Sequence, residues 1–244
     1  MTRTRSTMVL NRPVFTQHRF ASFELTVLST LIHRFGEAGT YQVTVTGGGQ
    51  TRTDSLNVST VGSHQQVNID MSQPGNAAGA GFAAEGANGC CCEPAAGRDL
   101  AVGGVVAFYA SAGTGSYQVS VTNLAEREKR VVLDSAKTVP QGDYFAVTLV
   151  RPGSYRMVDE LSRAEAQAHV SIPERERIDT QHVAMLKLGE GGFEPSSVRL
   201  HSGQSIFVEC GQEARLLVEP LDSEGSSVAT RSGKHTFRRP RPRP

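Results

Sequence analysis

Cys90, Cys91 and Cys92 form the densest group of soft-metal or redox ligands in the 244-residue chain, and Cys210 is its fourth thiol. Three thiolates in a Gly-rich stretch suit a soft metal. A tetrahedral zinc site, however, normally spaces two ligands by two or more residues so that both sulfurs converge. Neighbouring cysteines in an extended run point to opposite sides, so Cys210 joins Cys90, Cys91 and Cys92 only if folding brings it to them. The seven histidines (His18, His33, His64, His169, His182, His201, His235) are scattered, with no H-x-H or H-E-x-x-H pair. Neither a G-x-S-x-G elbow nor a G-x-x-x-x-G-K-[ST] phosphate loop occurs, and Gly79-Ala80-Gly81 lacks the third glycine of a dinucleotide turn. Asn57-Val58-Ser59 is an acceptor sequon that matters only in a secreted chain. No catalytic residue is assigned from these patterns, and a soft metal at the cysteines is the one cofactor they suggest.

A second kind of chemistry is electrostatic. The formal charge of the whole chain is +1. Residues 1–23 nevertheless hold Arg3, Arg5, Arg12 and Arg19 with no acid, and residues 231–244 hold six basic residues with no acid. Residues 24–230 carry fifteen basic against twenty-four acidic residues, a balance of −9. An acidic body with two basic ends follows. Arg238, Arg239, Arg241 and Arg243, spaced by prolines, are the candidate interaction tail; such a run can neutralise phosphates or bind an acidic surface. No aromatic residue beyond Phe237 interleaves with these arginines to stack on bases. A protein partner or a further copy of the chain is therefore the expected partner, with a glycan as a second class and nucleic acid not expected.

The elements that would position these residues are strands. Alternation with period two recurs at Tyr41, Val43 and Val45, at Tyr117, Val119 and Val121, at Phe145, Val147 and Leu149, at Val198 and Leu200, and at Ile206 and Val208. Gly, Pro, Asn and Asp clusters separate these runs, an all-β signature whose default architecture is a β-sandwich. Gly39-Thr40-Tyr41-Gln42-Val43-Thr44-Val45-Thr46 is echoed by Gly115-Ser116-Tyr117-Gln118-Val119-Ser120-Val121-Thr122, and more weakly at Gly142–Thr148 and Pro152–Val158. A duplicated domain and a generic Gly entry into a strand explain the echo equally well. Ser162–His169 is the best helix candidate, with Ser162 and Glu165 at capping-box spacing, and a hairpin fits it equally. Residues 73–97 are too rich in Gly and Ala to bury themselves and read as a linker. The longest apolar run, Leu100–Ala110, is too short to span a bilayer as a helix, and MTRTRSTMVLNRPVF carries no secretion signal.

His33-Arg34-Phe35-Gly36-Glu37-Ala38-Gly39-Thr40-Tyr41-Gln42-Val43-Thr44-Val45-Thr46, with Ser55–Val58 after it, resembles the C-terminal half of polycystic-kidney-disease (PKD) type immunoglobulin-like domains, over residues 33–60. The segment Gly192-Phe193-Glu194-Pro195, with Val198, Leu200, Gly203 and Ile206, resembles the entry to a cupredoxin-like sandwich, over residues 192–237. That family's closing copper loop of Cys, His and Met is not there, so the resemblance implies a cupredoxin-like unit without copper. Residues 150–155 and 168–173 resemble immunoglobulin-like modules of archaeal and bacterial surface proteins. The acidic, Arg-over-Lys body suits a salt-adapted, haloarchaeal setting.

These readings divide the chain into a basic extension (1–19), a PKD or immunoglobulin-like unit (20–72), a Gly/Ala/Cys linker (73–98), an immunoglobulin-like sandwich (99–176), a cupredoxin-like unit (177–237) and an Arg/Pro tail (238–244). The expected function is non-enzymatic binding, adhesion or assembly at a cell or particle surface. Two alternatives stand beside it: a metal or redox protein built on the cupredoxin-like unit or the triple cysteine, and an accessory module of a separate enzyme. The module resemblances point outside the cytoplasm, whereas the absent signal and the triple cysteine point inside.

Overall fold

Val, Thr and Tyr at alternate positions put apolar side chains on one face of an extended chain, and burying that face needs a second layer. The computed structural model describes residues 12–62, 64–73, 98–124, 129–172 and 183–221. Within them the chain is an all-β, sandwich-like fold. A single-turn helix, α1 (Arg12–Thr16), precedes β1 (Phe20–Ala21). Then come β2 (Ser29–Arg34), β3 (Gly39–Gly47), β4 (Gln50–Ser59), β5 (His64–Asp70), β6 (Arg98–Tyr109), β7 (Tyr117–Asn123) and β8 (Arg130–Asp134). The second half supplies β9 (Tyr144–Leu149), β10 (Gly153–Asp159), β11 (Glu165–Ser171), β12 (Ala184–Gly189), β13 (Gly192–Glu194), β14 (Ser197–His201), β15 (Gln204–Cys210) and β16 (Leu216–Pro220).

These strands make two sheets. A 5-stranded sheet runs β1-β16-β10-β11-β14, and an 11-stranded one runs β13-β12-β15-β9-β2-β6-β4-β3-β7-β8, with β5 also on β6. The large sheet turns a corner at β6. Residues 98–101 of β6 lie beside β4, while residues 105–109 lie between β5 and β2. Glycine permits the turn. Gly103 has φ +84 and donates its N–H to the Phe35 carbonyl, and Gly104 accepts from the Phe35 N–H. Opposite this corner, a Cβ on Gly62 would lie 2.3 Å from the backbone of Leu100, so no larger residue fits.

Pairing joins strands far apart in sequence. β2 sits between β6 and β9, and β1 pairs with β16, so residues from the stretches 20–72, 99–176 and 177–237 are hydrogen-bonded to one another in both sheets. One continuous core results, with Leu25, Leu31, Phe108, Phe145 and Leu149 each fully buried. The two copies of the echo are neighbours in a single sheet, β3 against β7, with Val43 opposite Val121 and Val45 opposite Val119. Leu100–Ala110 lies largely in β6, and among the described residues no helix is long and apolar enough to cross a membrane.

Residues 162–169 form a hairpin rather than a helix. Asp159 accepts from both the N–H and the hydroxyl of Ser162, which closes the turn between β10 and β11. Ala166, Ala168 and Val170 then face inward, and Gln167 and His169 outward. Two of the Gly-x-Tyr entries share a further device. The Tyr41 hydroxyl donates to the Glu37 carbonyl and the Tyr155 hydroxyl to the Arg151 carbonyl, each 2.9 Å away and four residues upstream. Each ring thus pins the loop that feeds its strand, as tyrosine corners do in β-sandwiches.

Candidate functional site

Cys210 is the one sequence-derived ligand candidate among the described residues. It closes β15 with 0% exposure, and burial, with the charges of Asp143, Asp159 and Glu209 added, pushes its thiol up to about 12. A buried, neutral thiol is a poor nucleophile. Its backbone does structural work: the N–H donates to the Asp143 carbonyl and the carbonyl accepts from Gly142. Cys90, Cys91 and Cys92 lie outside the described residues, as do Arg238, Arg239, Arg241 and Arg243. Among the described residues no group of three or more His, Cys, Asp or Glu side chains is placed to hold a metal ion.

Three buried carboxylates were not singled out from sequence. Asp143, in the turn before β9, accepts from His33 Nδ1 at 2.6 Å and from the Arg34 N–H at 3.0 Å. His33 is in turn edge-on to Phe35 at 4.6 Å, and Phe35 to Tyr41 at 4.9 Å, so three rings of residues 33–41 pack edge to face beside this pair. Asp159 accepts from Ser162 and from the Arg215 N–H. Asp70 accepts from the backbone and hydroxyl groups of Ser72 and Ser111. Burial raises the Asp70 carboxyl, but these donors outweigh it and hold the group below the ordinary aspartate value. Asp70 and Asp159 close turns, whereas Asp143 ties the end of β2 to the turn before β9. The sequence signal available was an Asp two or three residues before a Ser, in Asp70-Met71-Ser72 and Asp159-Glu160-Leu161-Ser162.

Surfaces offer more than interior groups do. The outward face of the large sheet carries a cross-strand row set by register: Tyr109 beside Thr30, Thr30 beside Ala146, Ala146 beside Phe207, and Phe207 beside Met185. A second row places Ala107, Ile32 and Tyr144 side by side. Five strands, β6, β2, β9, β15 and β12, thus present apolar groups outward, and Met185 is 52% exposed. A hollow of ≈ 230 Å³ opens on this face between Leu28, Tyr109, Thr148, Ser205 and Phe207, with the Thr148 and Ser205 hydroxyls 2.7 Å apart on its wall. Adjacent apolar residues signal this face in the sequence: Leu31-Ile32, Met185-Leu186 and Ile206-Phe207 break the polar alternation a one-sided strand would show.

The second surface lies where β1 meets β16. A hollow of ≈ 330 Å³ there is lined by His18, Arg19, Arg156, Glu219, Pro220 and Leu221. Arg156 donates to Glu219 at 2.7 Å and lies 3.7 Å from Glu165.

Comparison with family models, with curated proteins and with solved structures gives no match to this chain in any of the three.

Proposed function

We propose that the chain is a non-enzymatic β-sandwich protein that assembles with protein partners, further copies of itself first among them, at a cell or particle surface. The observation that carries this reading is the apolar outer face of the large sheet, where Tyr109, Ile32, Tyr144, Phe207 and Met185 stand on five adjacent strands. Met185 is exposed and the other four are half-buried, and apolar groups that reach the surface side by side rather than singly mark contact surfaces. Their place on paired strands fixes their spacing without any loop rearrangement. The tyrosine corners at Tyr41 and Tyr155 support an immunoglobulin-like character for the framework. Function in such a framework rests in faces and loops, and the buried carboxylates are engaged in closing turns and fastening β2.

Sedimentation of the full chain over a range of concentrations tests the reading, with Phe207→Glu and Met185→Glu as variants. In high NaCl, where contacts between charges are screened, the native chain is expected to associate and the two variants to remain monomeric, with thermal midpoints close to native because both side chains point out of the core. A native chain that stays monomeric at every concentration and salt overturns the reading. So does association that both variants leave unchanged, because it would remove this face as the contact.

A further inference from the structure

Phe20 pairs with Val218 and Ala21 with Leu217, antiparallel, so the chain arrives at the body beside the point where it leaves. Two stretches of like charge therefore attach at one place. Residues 1–19 hold four arginines and no acid, and residues 222–244 hold six basic residues against Asp222 and Glu224. The body at that place repeats their sign. β9, β11, β14 and β16 all run toward it and β10, β12 and β15 start from it, as their registers require. At or near this pole stand exposed Arg19, Arg151, His169, Arg199 and His201, while its acid, Glu219, is bonded to Arg156.

The opposite pole of the same strands is acidic. The turn after β12 exposes Glu190, β13 ends on exposed Glu194, and the loop after β15 exposes Glu213. Of the cations there, Arg215 donates to Glu160 at 2.8 Å and Lys187 lies 3.8 Å from Glu209, while Arg163 in the turn between β10 and β11 is exposed. The second half of the chain thus separates charge along its strand axis, and both basic stretches join the body at the positive end.

We propose that the basic pole, with residues 1–19 and 222–244 attached to it, docks on the acidic pole of a second copy, so that copies associate head to tail. This rests on the assembly reading above and adds to the contact on the apolar face a second one between the poles. Charge complementarity selects the partner: the acidic pole faces away from the basic one of its own body and toward that of the next copy. A contact between two different patches is not satisfied within one pair as an isologous contact is, so it leads to assemblies larger than dimers, as rings or open chains.

Two full-length variants test it. In one, Arg3, Arg5, Arg238, Arg239, Arg241 and Arg243 become Gln; in the other, Glu190, Glu194 and Glu213 become Lys. Each alone is expected to lose head-to-tail association at low salt. Mixed together they are expected to form one-to-one pairs, since the first retains an acidic pole and the second a basic one. Native association is expected to weaken at least about tenfold between low and high NaCl, as screening requires. The proposal is overturned if either variant associates as the native chain does, or if the mixture stays monomeric. It also falls if salt changes only the shape of a monomer, which would mean that the stretches dock on their own body, or if the basic stretches bind a single-stranded oligonucleotide while the native chain does not self-associate. Association abolished by Phe207→Glu but indifferent to these charges sinks the head-to-tail geometry and leaves the assembly reading standing. A native chain monomeric throughout sinks both.

Discussion

His33 Nδ1 and Asp143 Oδ2 lie 2.6 Å apart, 110 residues apart in sequence, with His33 only 5% and Asp143 only 2% exposed. Asp143 also accepts from the Arg34 N–H, so one carboxylate holds both the side chain and the following backbone of the β2 terminus. An ionised carboxylate only accepts, which places the imidazole proton on Nδ1. The pair fastens β2 to the turn that starts β9, the junction at which the large sheet passes from the first half of the chain to the second.

Removing one partner therefore strands the other in the interior. Asp143→Ala is expected to cost about 3 kcal/mol, because the Arg34 N–H and the His33 ring both lose their acceptor. His33→Ala is expected to cost a similar amount, and the double variant less than the sum of the two. Urea unfolding of the four species gives the coupling. Additive costs would show that the contact does no joint work.

Arg215 links three separate segments in the same way. Its guanidinium lies 3.7 Å over the Phe23 ring, Nε donates to Glu160, and another nitrogen donates to the carbonyls of Ala136 and Lys137. A planar fork serves all of these at once, and an ammonium does not. Arg215→Lys is expected to cost about 2 kcal/mol despite the conserved charge, a fall in thermal midpoint of roughly 4–8 °C for a chain of this size. A midpoint within about a degree of native would mean that charge alone matters there.

Tyr41, Val43 and Val45 show how much of the fold could be read from residue order. Alternation identifies a strand and its buried face, and the structure buries all three. It does not name the neighbour. Nothing local in Ser29–Arg34 signals a partner at Tyr144–Leu149, because register depends on which apolar faces meet after collapse. Leu100–Ala110 illustrates a second limit: its apolar run reads as one straight element, yet at Gly103 and Gly104 it turns from lying beside β4 to lying between β5 and β2. The candidate contact face was hidden for a related reason. Ile32, Phe207 and Met185 sit beside inward residues, and only strand order brings them onto one face.

Asp70 gives the fold an acid-sensitive turn. Its carboxyl is held below the ordinary value of 3.8, so its ionised form is favoured in the folded chain. A depressed carboxyl contributes stability that is fully present above the unfolded value and is lost as pH falls through the folded one. Asp70→Asn is expected to cost on the order of 2 kcal/mol at neutral pH, the scale of hydrogen bonds to a charged acceptor. The gap between native and variant should close as pH drops below about 4, where the unfolded carboxyl begins to take up a proton. Denaturant midpoints measured from pH 7 downward provide the check, and a gap that stays constant would remove Asp70 as its source.

Cys210 bears on the soft-metal alternative because it is the one cysteine whose surroundings are known. With 0% exposure and a thiol pushed up to about 12, it is neutral at pH 8 and closed to reagents in the folded chain. Burial comes first among the causes, so the protection should vanish on unfolding rather than on a change of salt. In a chain with Cys90, Cys91 and Cys92 all replaced by Ser, a disulfide reagent at pH 8 is expected to find no reactive thiol until denaturant is added, and one thereafter. Zinc, copper and iron measured after reducing purification supply the companion test. Any metal that Cys90, Cys91 and Cys92 hold should be retained by Cys210→Ala, whose cost is expected to be about 1 kcal/mol through the small cavity left. Rapid labelling of the native thiol, or metal content that falls with Cys210→Ala alone, would instead place Cys210 within reach of solvent and ligands.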